Sequence, residues 1–380
     1  MQGNLLWPVN ERFPKLKESI SVDIAIIGGG VTGICSAYYL QKAGYDVIVI
    51  EQDEVGSAAS GASSGILFYG SGTNFLDAIQ LYGKEKSKLL WDESTETMLT
   101  IKEMIEKNDI EAGFRNPGAI MVAKTKNEIE LLNEEQENLK DIGILAELYN
   151  SKEIKNFYLG REFLAGLHFP QCSQIHPAIF SASLAKHLNL QVFENTKFVS
   201  LEETNDSIVI KTSNASVKSK KLIFATNLKP LFGLEKYFAE ESSVIIASKP
   251  LTNEQIRSIW PSEKLLWSME ADYDIIYPAD NRLIIELFRL KNTREKISYY
   301  YPENFIVNVQ WGDSWSKSKD WMPIIGEVNK NIYVAVAMGD QGVVMGFTAA
   351  RKIAKLIKGE DDKFLEMTSS KRFGQEGLQK

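Results

Sequence analysis

The segment 22–51 restricts the possible folds of this chain more than any other feature of the sequence. An apolar run rich in β-branched residues at 22–27 is followed by three glycines, by helix-forming residues at 32–44, and by a second apolar run at 45–50. Such runs are typical of strands that are buried on both faces. Two strands joined by a helix form a parallel pair with a right-handed crossover. The sequence therefore predicts an α/β fold that contains a parallel sheet.

Glycines and one carboxylate lie at the points of this unit where a dinucleotide would bind. Gly28, Gly30 and Gly33 have the spacing G-x-G-x-x-G between strand and helix, and Glu51 follows the second strand. The glycines allow a tight turn, close approach of a pyrophosphate, and close packing of helix on sheet. The helix N-terminus attracts phosphate. Glu51 can accept hydrogen bonds from a ribose diol and would repel a 2′-phosphate, so we predict a dinucleotide that lacks one.

Three further segments favour FAD over NAD as this dinucleotide. Residues 56–65 are all glycine, alanine or serine, which suits a backbone lying against an extended cofactor, although a flexible linker has the same composition. Residues 221–227 form a predicted buried strand that ends in small residues and could close over the dinucleotide. Residues 331–344 predict a strand, a glycine turn and the start of a helix. The N-terminus of that helix could stabilise the negative charge of a reduced flavin.

We expect noncovalent FAD, because 56–70 contains no histidine and 312–345 contains no cysteine that could attach the ring. The candidate cofactor-binding residues are Gly28, Gly30, Val31, Thr32, Gly33, Glu51, Gln52, Ala59, Ser60, Gly61, Ser63, Ser64, Gly65, Ile66, Phe198, Ala225, Thr226, Gly339, Asp340, Gly342, Val343 and Val344.

The same segments resemble the D-amino-acid oxidase (DAO) family of FAD-dependent oxidoreductases. The likeness is strongest to the branch that contains gamma-glutamylputrescine oxidoreductase and glycine oxidase, and it covers nearly the whole chain in order. It rests on residues 22–33, 60–65, 225–227, 279–283, 311–312, 322–326 and 339–342. The resemblance implies a Rossmann-like, glutathione-reductase-type FAD-binding domain and an α+β substrate domain on a mixed sheet. It also implies hydride transfer from a substrate carbon to flavin N5.

Elements of the nucleotide-binding half occur at both ends of the chain and again near 180–230, so we expect discontinuous domains. The FAD-binding domain is predicted to contain 1–80, 165–235 and 318–380. The substrate domain is predicted to contain 81–164 and 236–317.

The predicted substrate pocket has five candidate residues and no assigned catalytic residue. The candidates are Tyr277, Glu286, Phe288, Met338 and Gln341. Glu286 could pair with a substrate ammonium, or it could point outward or pair with Arg282 or Arg289. Compared with the family, Ser314 stands where glycine-oxidase-like members have a carboxylate-binding arginine. Ile284 stands where the sarcosine oxidase branch has an oxygen-assisting lysine.

Together these features indicate an enzyme that oxidises a C–H bond next to nitrogen in a small amine or amino acid, with oxygen or another electron acceptor. A 2-hydroxy-acid dehydrogenase of the same superfamily and a tRNA-modification flavoprotein are the alternatives. The net charge of −7 argues against nucleic acid as a partner. We expect a cytoplasmic location, because the chain has two cysteines and no signal peptide or membrane span is recognisable. Its three histidines lack metal-ligand spacing, so no metal is expected.

One helix is predicted from Glu128 to Asp141, and its acidic run Glu134, Glu135 and Glu137 is expected to form a solvated face.

Overall fold

A computed structural model describes residues 6–227, 232–269, 274–288, 292–301 and 306–374 of the chain. The strands are Ile20–Ile27 (β1), Val47–Ile50 (β2), Ile66–Leu67 (β3), Ala119–Ala123 (β4), Glu147–Asn150 (β5), Ala165–Phe169 (β6), Ser173–Gln174 (β7), Gln191–Phe193 (β8), Phe198–Glu203 (β9), Ile208–Thr212 (β10), Ser216–Asn227 (β11), Phe238–Ser248 (β12), Leu265–Ser268 (β13), Asp274–Ala279 (β14), Arg282–Leu287 (β15), Val307–Ser318 (β16), Ile324–Asn329 (β17) and Ile332–Val336 (β18).

The α-helices are Val31–Lys42 (α1), Ala59–Ala62 (α2), Phe75–Tyr82 (α3), Lys84–Asn108 (α4), Lys126–Asp141 (α5), Ser151–Ile154 (α6), Pro177–His187 (α7), Asn253–Arg257 (α8), Thr293–Tyr300 (α9), Gly342–Ile357 (α10) and Lys363–Thr368 (α11). Short 3₁₀ helices cover Leu234–Tyr237 and Ser370–Phe373.

The first sheet contains the predicted parallel pair. Its strand order is β17-β18-β11-β1-β2-β8, with β10 on β11 and β9 on β10. Neighbours from β18 to β8 are parallel, whereas β17, β10 and β9 pair antiparallel. Ile24 lies opposite Val47 on β2, and Ile27 lies opposite Phe224 on β11. Both helices that follow glycine turns, α1 and α10, pack on each other, and the space beside Gly346 is filled by the Thr32 hydroxyl.

The second sheet is mixed, as the family resemblance implied. Its order is β16-β12-β15-β14-β13-β4-β6-β5, and all neighbours are antiparallel except β13 and β4. One face carries Ile245, Ile284 and Trp311 and packs into the large core that it shares with the first sheet and its helices. The opposite face carries residues such as Ile246 and Ile285 and forms a separate core. This separation follows from the alternation of side chains along a strand.

Two elements lie elsewhere than the expected domain limits would put them. Strand β6 begins at residue 165, the expected start of an FAD-binding segment, but it pairs with β4 and β5 in the second sheet. Helix α4 lies inside the range 81–164 that we assigned to the substrate domain, yet it packs on α10. The hydroxyls of Thr97 and Thr348 are hydrogen-bonded at 2.7 Å across that contact. The domain limits themselves stay a prediction.

The solvated face expected for Glu134, Glu135 and Glu137 is wrong for one of the three residues. Glu135 is buried, and its two carboxylate oxygens accept 2.8 Å hydrogen bonds from the backbone N–H groups of Phe75 and Leu76 at the start of α3. A carboxylate stabilises a helix N-terminus because that end carries free N–H groups and positive dipole. Burial raises the pKa of Glu135 to about 7, although the two N–H groups oppose the rise.

Within the described part of the chain, no helix is long and apolar enough to cross a membrane, and no cluster of acidic, histidine or cysteine side chains could hold a metal ion. Cys35 and Cys172 are both buried and unbonded to each other.

Candidate functional site

A cavity of about 440 Å³ lies where the carboxyl ends of β1, β2, β11 and β18 meet the turns that follow them. This edge of a parallel sheet is where ligands bind in open α/β folds. Its described lining residues are Ile27, Gly28, Gly30, Val31, Thr32, Ile50, Glu51, Gln52, Gly56, Ser57, Ala58, Ala59, Ser60, Ser63, Lys197, Phe198, Phe224, Ala225, Thr226, Asn227, Asp313, Trp315, Ala335, Met338, Gly339, Asp340, Gly342 and Val343.

The glycine turn between β1 and α1 leaves no room for side chains. Gly28 has φ +112°, and a Cβ atom there would lie 2.4 Å from the carbonyl oxygen of Ala225. A Cβ on Gly30 would meet the Ser60 hydroxyl at 2.9 Å, in the cavity wall. A Cβ on Gly33 would lie 1.9 Å from the carbonyl oxygen of Gly28, so this glycine permits the close approach of helix and strand. The turn therefore presents bare backbone to the cavity.

Glu51 is fixed at one end of the cavity by backbone donors. Its Oε2 accepts from the Gly29 N–H at 2.7 Å, and its Oε1 accepts from the Asp53 N–H at 2.8 Å. Burial raises the pKa of this carboxyl, and the two N–H groups lower it. Each carboxylate oxygen can accept a further hydrogen bond. Glu51 is thus held in one orientation with acceptor capacity left for a diol.

The small-residue segment 56–65 folds over the glycine turn rather than behaving as a flexible linker. The Ser60 hydroxyl accepts from the Val31 N–H at 3.1 Å, at the start of α1. The indole N–H of Trp311 donates to the carbonyl oxygen of Ala62 at 2.8 Å, which ties β16 of the second sheet to this segment. Gly65 has φ +71°, and a Cβ there would lie 1.9 Å from the carbonyl oxygen of Ile175. The segment is therefore an ordered wall of the cavity.

The opposite end of the cavity is formed by the turn before α10 and by β16. Gly339 has φ +72°, and a Cβ on it would lie 2.2 Å from the carbonyl oxygen of Ser71. Asp340 and Gly342 follow in the cavity wall, and α10 begins at Gly342. Its first N–H groups are directed toward this end of the cavity, as helix geometry requires. Asp313 and Trp315, on β16, complete this end.

Most of the predicted cofactor-binding residues are brought together here. Those in the cavity wall are Gly28, Gly30, Val31, Thr32, Glu51, Gln52, Ala59, Ser60, Ser63, Phe198, Ala225, Thr226, Gly339, Asp340, Gly342 and Val343. Those that lie outside the described wall are Gly33, Gly61, Ser64, Gly65, Ile66 and Val344. Gly33 and Gly65 lie where a Cβ would clash with backbone, so they serve packing, and Val344 is buried in the core. Binding of the cofactor by each residue stays a prediction.

Of the five predicted pocket residues, one lies in the cavity wall and one at the start of α10, and three lie on or next to the second sheet. Met338 is in the cavity wall, and Gln341 is the residue before α10. Tyr277 is fully buried on the second-sheet face that packs toward the cavity. Phe288, at the end of a described stretch, is half-buried against the same core. Glu286 is buried on this same sheet face, opposite Ile245 and Ile275.

Glu286 points inward from β15 and is not an outward strand residue. Its Oε1 accepts from the Ser243 hydroxyl at 2.7 Å. Burial raises the pKa of Glu286, and the hydroxyls of Ser243 and Ser64 oppose the rise. Arg282 does not pair with it, because that guanidinium donates to the carbonyl oxygen of Ser248 and the side chain of Asn308. Arg289 lies outside the described residues.

Sequence reasoning missed Asp313, Trp315 and Lys197 in the cavity wall. Asp313 and Trp315 alternate on β16, which pairs with β12 along its whole length. Their positions depend on a strand pairing between distant segments, and no local motif marks them. Lys197 precedes Phe198, a predicted wall residue, and could have been found by extending that prediction along β9.

The cavity fits FAD in the chemistry of its walls. The bare glycine backbone and the α1 N-terminus suit a pyrophosphate, Glu51 suits a ribose diol, and the α10 N-terminus suits a ring system that gains negative charge. Among the described wall residues there is no histidine or cysteine.

Comparison with known proteins agrees with this site. A family model described as "DAO: FAD dependent oxidoreductase" matches residues 23–356. The chain is 27% identical to gamma-glutamylputrescine oxidoreductase of Escherichia coli, over 93% of this chain and 87% of that protein. It is 26% identical to the probable oxidoreductase OrdL of Haemophilus influenzae, over 93% and 86%.

The fold matches that of glycine oxidase from Geobacillus kaustophilus with a TM-score of 0.75, at 17% identity, over 92% of this chain and 98% of that one. This likeness confirms the predicted α/β architecture, with a Rossmann-like FAD-binding part and a second, mixed sheet. The family match covers far more than half of the residues, including both ends of the cavity. The chain therefore belongs to the DAO family of FAD-dependent oxidoreductases, and its cofactor is FAD.

Proposed function

We propose that this protein oxidises a C–H bond next to nitrogen in a small amine or amino acid. When bound, FAD supplies the hydride acceptor, N5 of its ring system. The observation that carries the proposal is the closure of one cavity end by the second sheet, where buried Asp313 and Met338 are wall residues and the buried carboxyl of Glu286 lies near Asp313. The names of two relatives, gamma-glutamylputrescine oxidoreductase and glycine oxidase, support nitrogen-bearing substrates.

The residues at the Glu51 end would hold the cofactor. Glu51 would accept hydrogen bonds from its ribose, while the glycine turn and the α1 N-terminus would hold its pyrophosphate. The first turn of α10, from Gly342, would stabilise negative charge on the ring system. We propose that binding is noncovalent. Heating or acidifying the yellow protein should therefore release FAD, and colour that stays with the denatured polypeptide would contradict this.

The second sheet would exclude water and orient the substrate. Ile245, Ile284 and Trp311 give its inner face an apolar surface, and Trp311 is fixed to the segment 56–65 by its indole hydrogen bond. Substrate trapped between this face and the α10 turn would be positioned by packing, and water would be displaced from the reacting carbon. The buried carboxyls would then provide the main electrostatic selection among substrates.

The inner face of the second sheet also bears on the choice of electron acceptor. Ile284 is fully buried there, and the sequence resemblance aligns it with the oxygen-assisting lysine of the sarcosine oxidase branch. We propose that an acceptor other than oxygen supports a large share of turnover. Stopped-flow mixing of the reduced enzyme with air-saturated buffer should show slow reoxidation, and a fast bimolecular reaction would contradict the proposal.

The direct test is anaerobic bleaching of the flavin by single compounds from three classes: amines, amino acids and 2-hydroxy acids. We expect bleaching by at least one amine or amino acid and none by hydroxy acids. Bleaching by hydroxy acids alone would replace this proposal with the 2-hydroxy-acid dehydrogenase alternative. A submicromolar tRNA affinity at physiological salt would instead favour the RNA-modification alternative.

A further inference from the structure

Asp313 carries a buried carboxyl at the second-sheet end of the cavity. It lies on β16 opposite Ser243 of β12, is 7% exposed, and forms part of the cavity wall. Its Oδ1 atom is buried and makes no hydrogen bond. Buried polar atoms are nearly always hydrogen-bonded, and leaving one without a partner costs free energy. An unpartnered oxygen in a cavity wall therefore indicates a ligand atom that would satisfy it.

The surroundings of Asp313 select the charge of that ligand. Burial raises the pKa of Asp313 to about 8, the nearby Glu286 carboxyl adds to the rise, and the Ser314 N–H opposes it. Glu286 is linked to the same spot through Ser243, which pairs with Asp313 and donates to Glu286. Asp340 contributes a third carboxyl from the α10 turn. A bound cation favours the ionised form of carboxyls crowded in this way, whereas a bound anion opposes it.

At this end of the cavity no described wall residue carries a positive side chain, and Lys317, at an alternate position of β16, pairs with Glu241 at 2.7 Å. Among the described wall residues the one cation is Lys197, and it lies at the other end, next to Thr196, whose N–H donates to the Glu51 carbonyl oxygen at 2.8 Å. The buried Arg115 is used elsewhere: its guanidinium donates to the Gln174 side chain and to the carbonyl oxygen of Pro278.

We propose that Asp313 Oδ1 binds the positively charged nitrogen of the substrate, and that the preferred substrate is a cationic amine with no carboxylate next to that nitrogen. The proposal rests on the proposed function and narrows its substrate class. An α-amino acid would place its carboxylate beside Asp313, which is ionised once it holds the ammonium, so the two carboxylates would repel each other. Asp313 would then be a specificity-determining residue that sequence reasoning did not identify.

Binding of such a cation should release a proton. In the free protein at pH 7, the raised pKa keeps most Asp313 carboxyls protonated. Glu286 on β15 is the titratable group that acts on Asp313. Glu286 in turn lies near Asp340 before α10 and Tyr277 on β14, and it has the hydroxyls of Ser243 and Ser64 as partners. A bound ammonium favours the ionised carboxylate, so it lowers the pKa and the proton leaves to the buffer.

The test uses FAD-loaded protein and three matched probes without a C–H bond next to nitrogen. These probes are tert-butylamine, neutral tert-butanol, and 2-aminoisobutyric acid, which is tert-butylamine with one methyl group replaced by carboxylate. Calorimetry at pH 7 in two buffers of different ionisation enthalpy gives both affinity and proton release. We expect tert-butylamine to bind about tenfold more tightly than either other probe, a difference of ~1.4 kcal/mol, and to release roughly one proton.

The variant Asp313→Asn should lose that preference and the proton release. The matched control Glu240→Gln changes an exposed carboxyl of β12 and should keep both. Equal affinities of the wild type for the three probes, or an Asp313→Asn protein that keeps the preference for tert-butylamine, would overturn the proposal. The comparison of the three probes needs the wild type alone, so it decides the matter even if the variant fails to fold.

Anaerobic bleaching separates this proposal from the proposed function. If oxidisable amines bleach the wild type and Asp313→Asn with equal affinity, the role of Asp313 is wrong and amine oxidation stands. If tert-butylamine binds with proton release but no amine or amino acid bleaches the flavin, the Asp313 site stands as a cation site and the proposed function is wrong.

Discussion

At the Glu51 end of the cavity, most of the wall comes from the continuous segment 27–63, to which Lys197 and Phe198 are added, whereas the Asp313 end is assembled from β16 of the second sheet and the α10 turn. The Glu51 end uses glycine backbone and N–H groups, which look the same for any FAD enzyme. The Asp313 end uses carboxyl side chains whose pKa is raised by burial, and such side chains suit only substrates of matching charge. If the proposals above hold, cofactor binding depends mainly on one local segment, and substrate choice depends on strand pairing between distant segments.

The largest expected effect is at the local end. Gly30→Val places a side chain where even a Cβ would meet the Ser60 hydroxyl at 2.9 Å, in the space that the pyrophosphate needs. We expect loss of FAD, measured as flavin absorbance per polypeptide after purification. The control Gly312→Ala adds a Cβ whose nearest neighbour is 3.8 Å away, and it should keep FAD. A yellow Gly30→Val protein would contradict the placement of the cofactor.

The next largest effect is expected for Glu51→Gln, which changes the predicted ribose contact and leaves the glycine turn between β1 and α1 intact. Glu51→Gln keeps the shape of the side chain but replaces one acceptor oxygen, beside the Gly29 or Asp53 N–H, with a donor. Losing a charged hydrogen-bond acceptor costs ~1.5–3 kcal/mol, so FAD should bind about 10- to 100-fold more weakly. Titration of apoprotein with FAD measures this, and amine selectivity at saturating FAD should not change. An altered selectivity would show that the two ends are coupled.

This division explains how much of the site could be predicted from sequence. Gly28, Gly30 and Glu51 lie on one continuous βαβ unit, so spacing alone located them. Asp340 and Gly342 lie on a second strand–turn–helix unit that was recognised in the same way. Asp313 became a wall residue only because β16 pairs with β12 in a defined register, which sequence periodicity does not specify.

The fold shows the same limit. Buried parallel strands were recognisable from apolar runs, but the pairing of β6 with the second sheet and the packing of α4 on α10 depend on tertiary contacts. Glu135 was assigned to solvent because the polar run around it suggested an exposed helix face. Its burial depends on the free N–H groups at the start of α3, which lie far away in sequence.

At the Asp313 end of the cavity, the buried Asp313 carboxyl should lower the free energy of unfolding at neutral and alkaline pH. Its folded pKa of about 8 lies above the ordinary value of 3.8. The folded state therefore holds a proton that the unfolded chain has lost, and stability falls as pH rises from about 4 to about 8. Asp313→Asn removes this loss and should be more stable than wild type by ~1–3 kcal/mol at pH 8.5. The two should be nearly equal at pH 4.

Urea unfolding of the FAD-loaded proteins measures that difference. The exposed-site control Glu240→Gln should match the wild type at each pH. An Asp313→Asn protein that is less stable at pH 8.5 would mean that this carboxylate has a structural partner in the folded protein.

The smallest expected effect is at Glu286, which lies on the second sheet near Asp313 but is not one of the described wall residues. Two unit charges ~4 Å apart at an effective dielectric of ~20 interact by roughly 4 kcal/mol before desolvation is subtracted. If a quarter of this interaction energy remains after desolvation, Glu286→Gln should lower amine turnover several-fold and raise the tolerance of anionic inhibitors. Steady-state kinetics with an amine and a competing carboxylate measure both. Unchanged kinetics would assign Glu286 a structural role with Ser243 and leave Asp313 to select the substrate.

The most direct test of the account is a crystal structure of the FAD-loaded protein with tert-butylamine. We expect the adenosine ribose at Glu51, the ring system at the α10 N-terminus, and the ammonium nitrogen within hydrogen-bond distance of Asp313 Oδ1. A ring system placed away from the α10 turn, or an amine nitrogen held by other groups while Asp313 Oδ1 stays unpartnered, would contradict it.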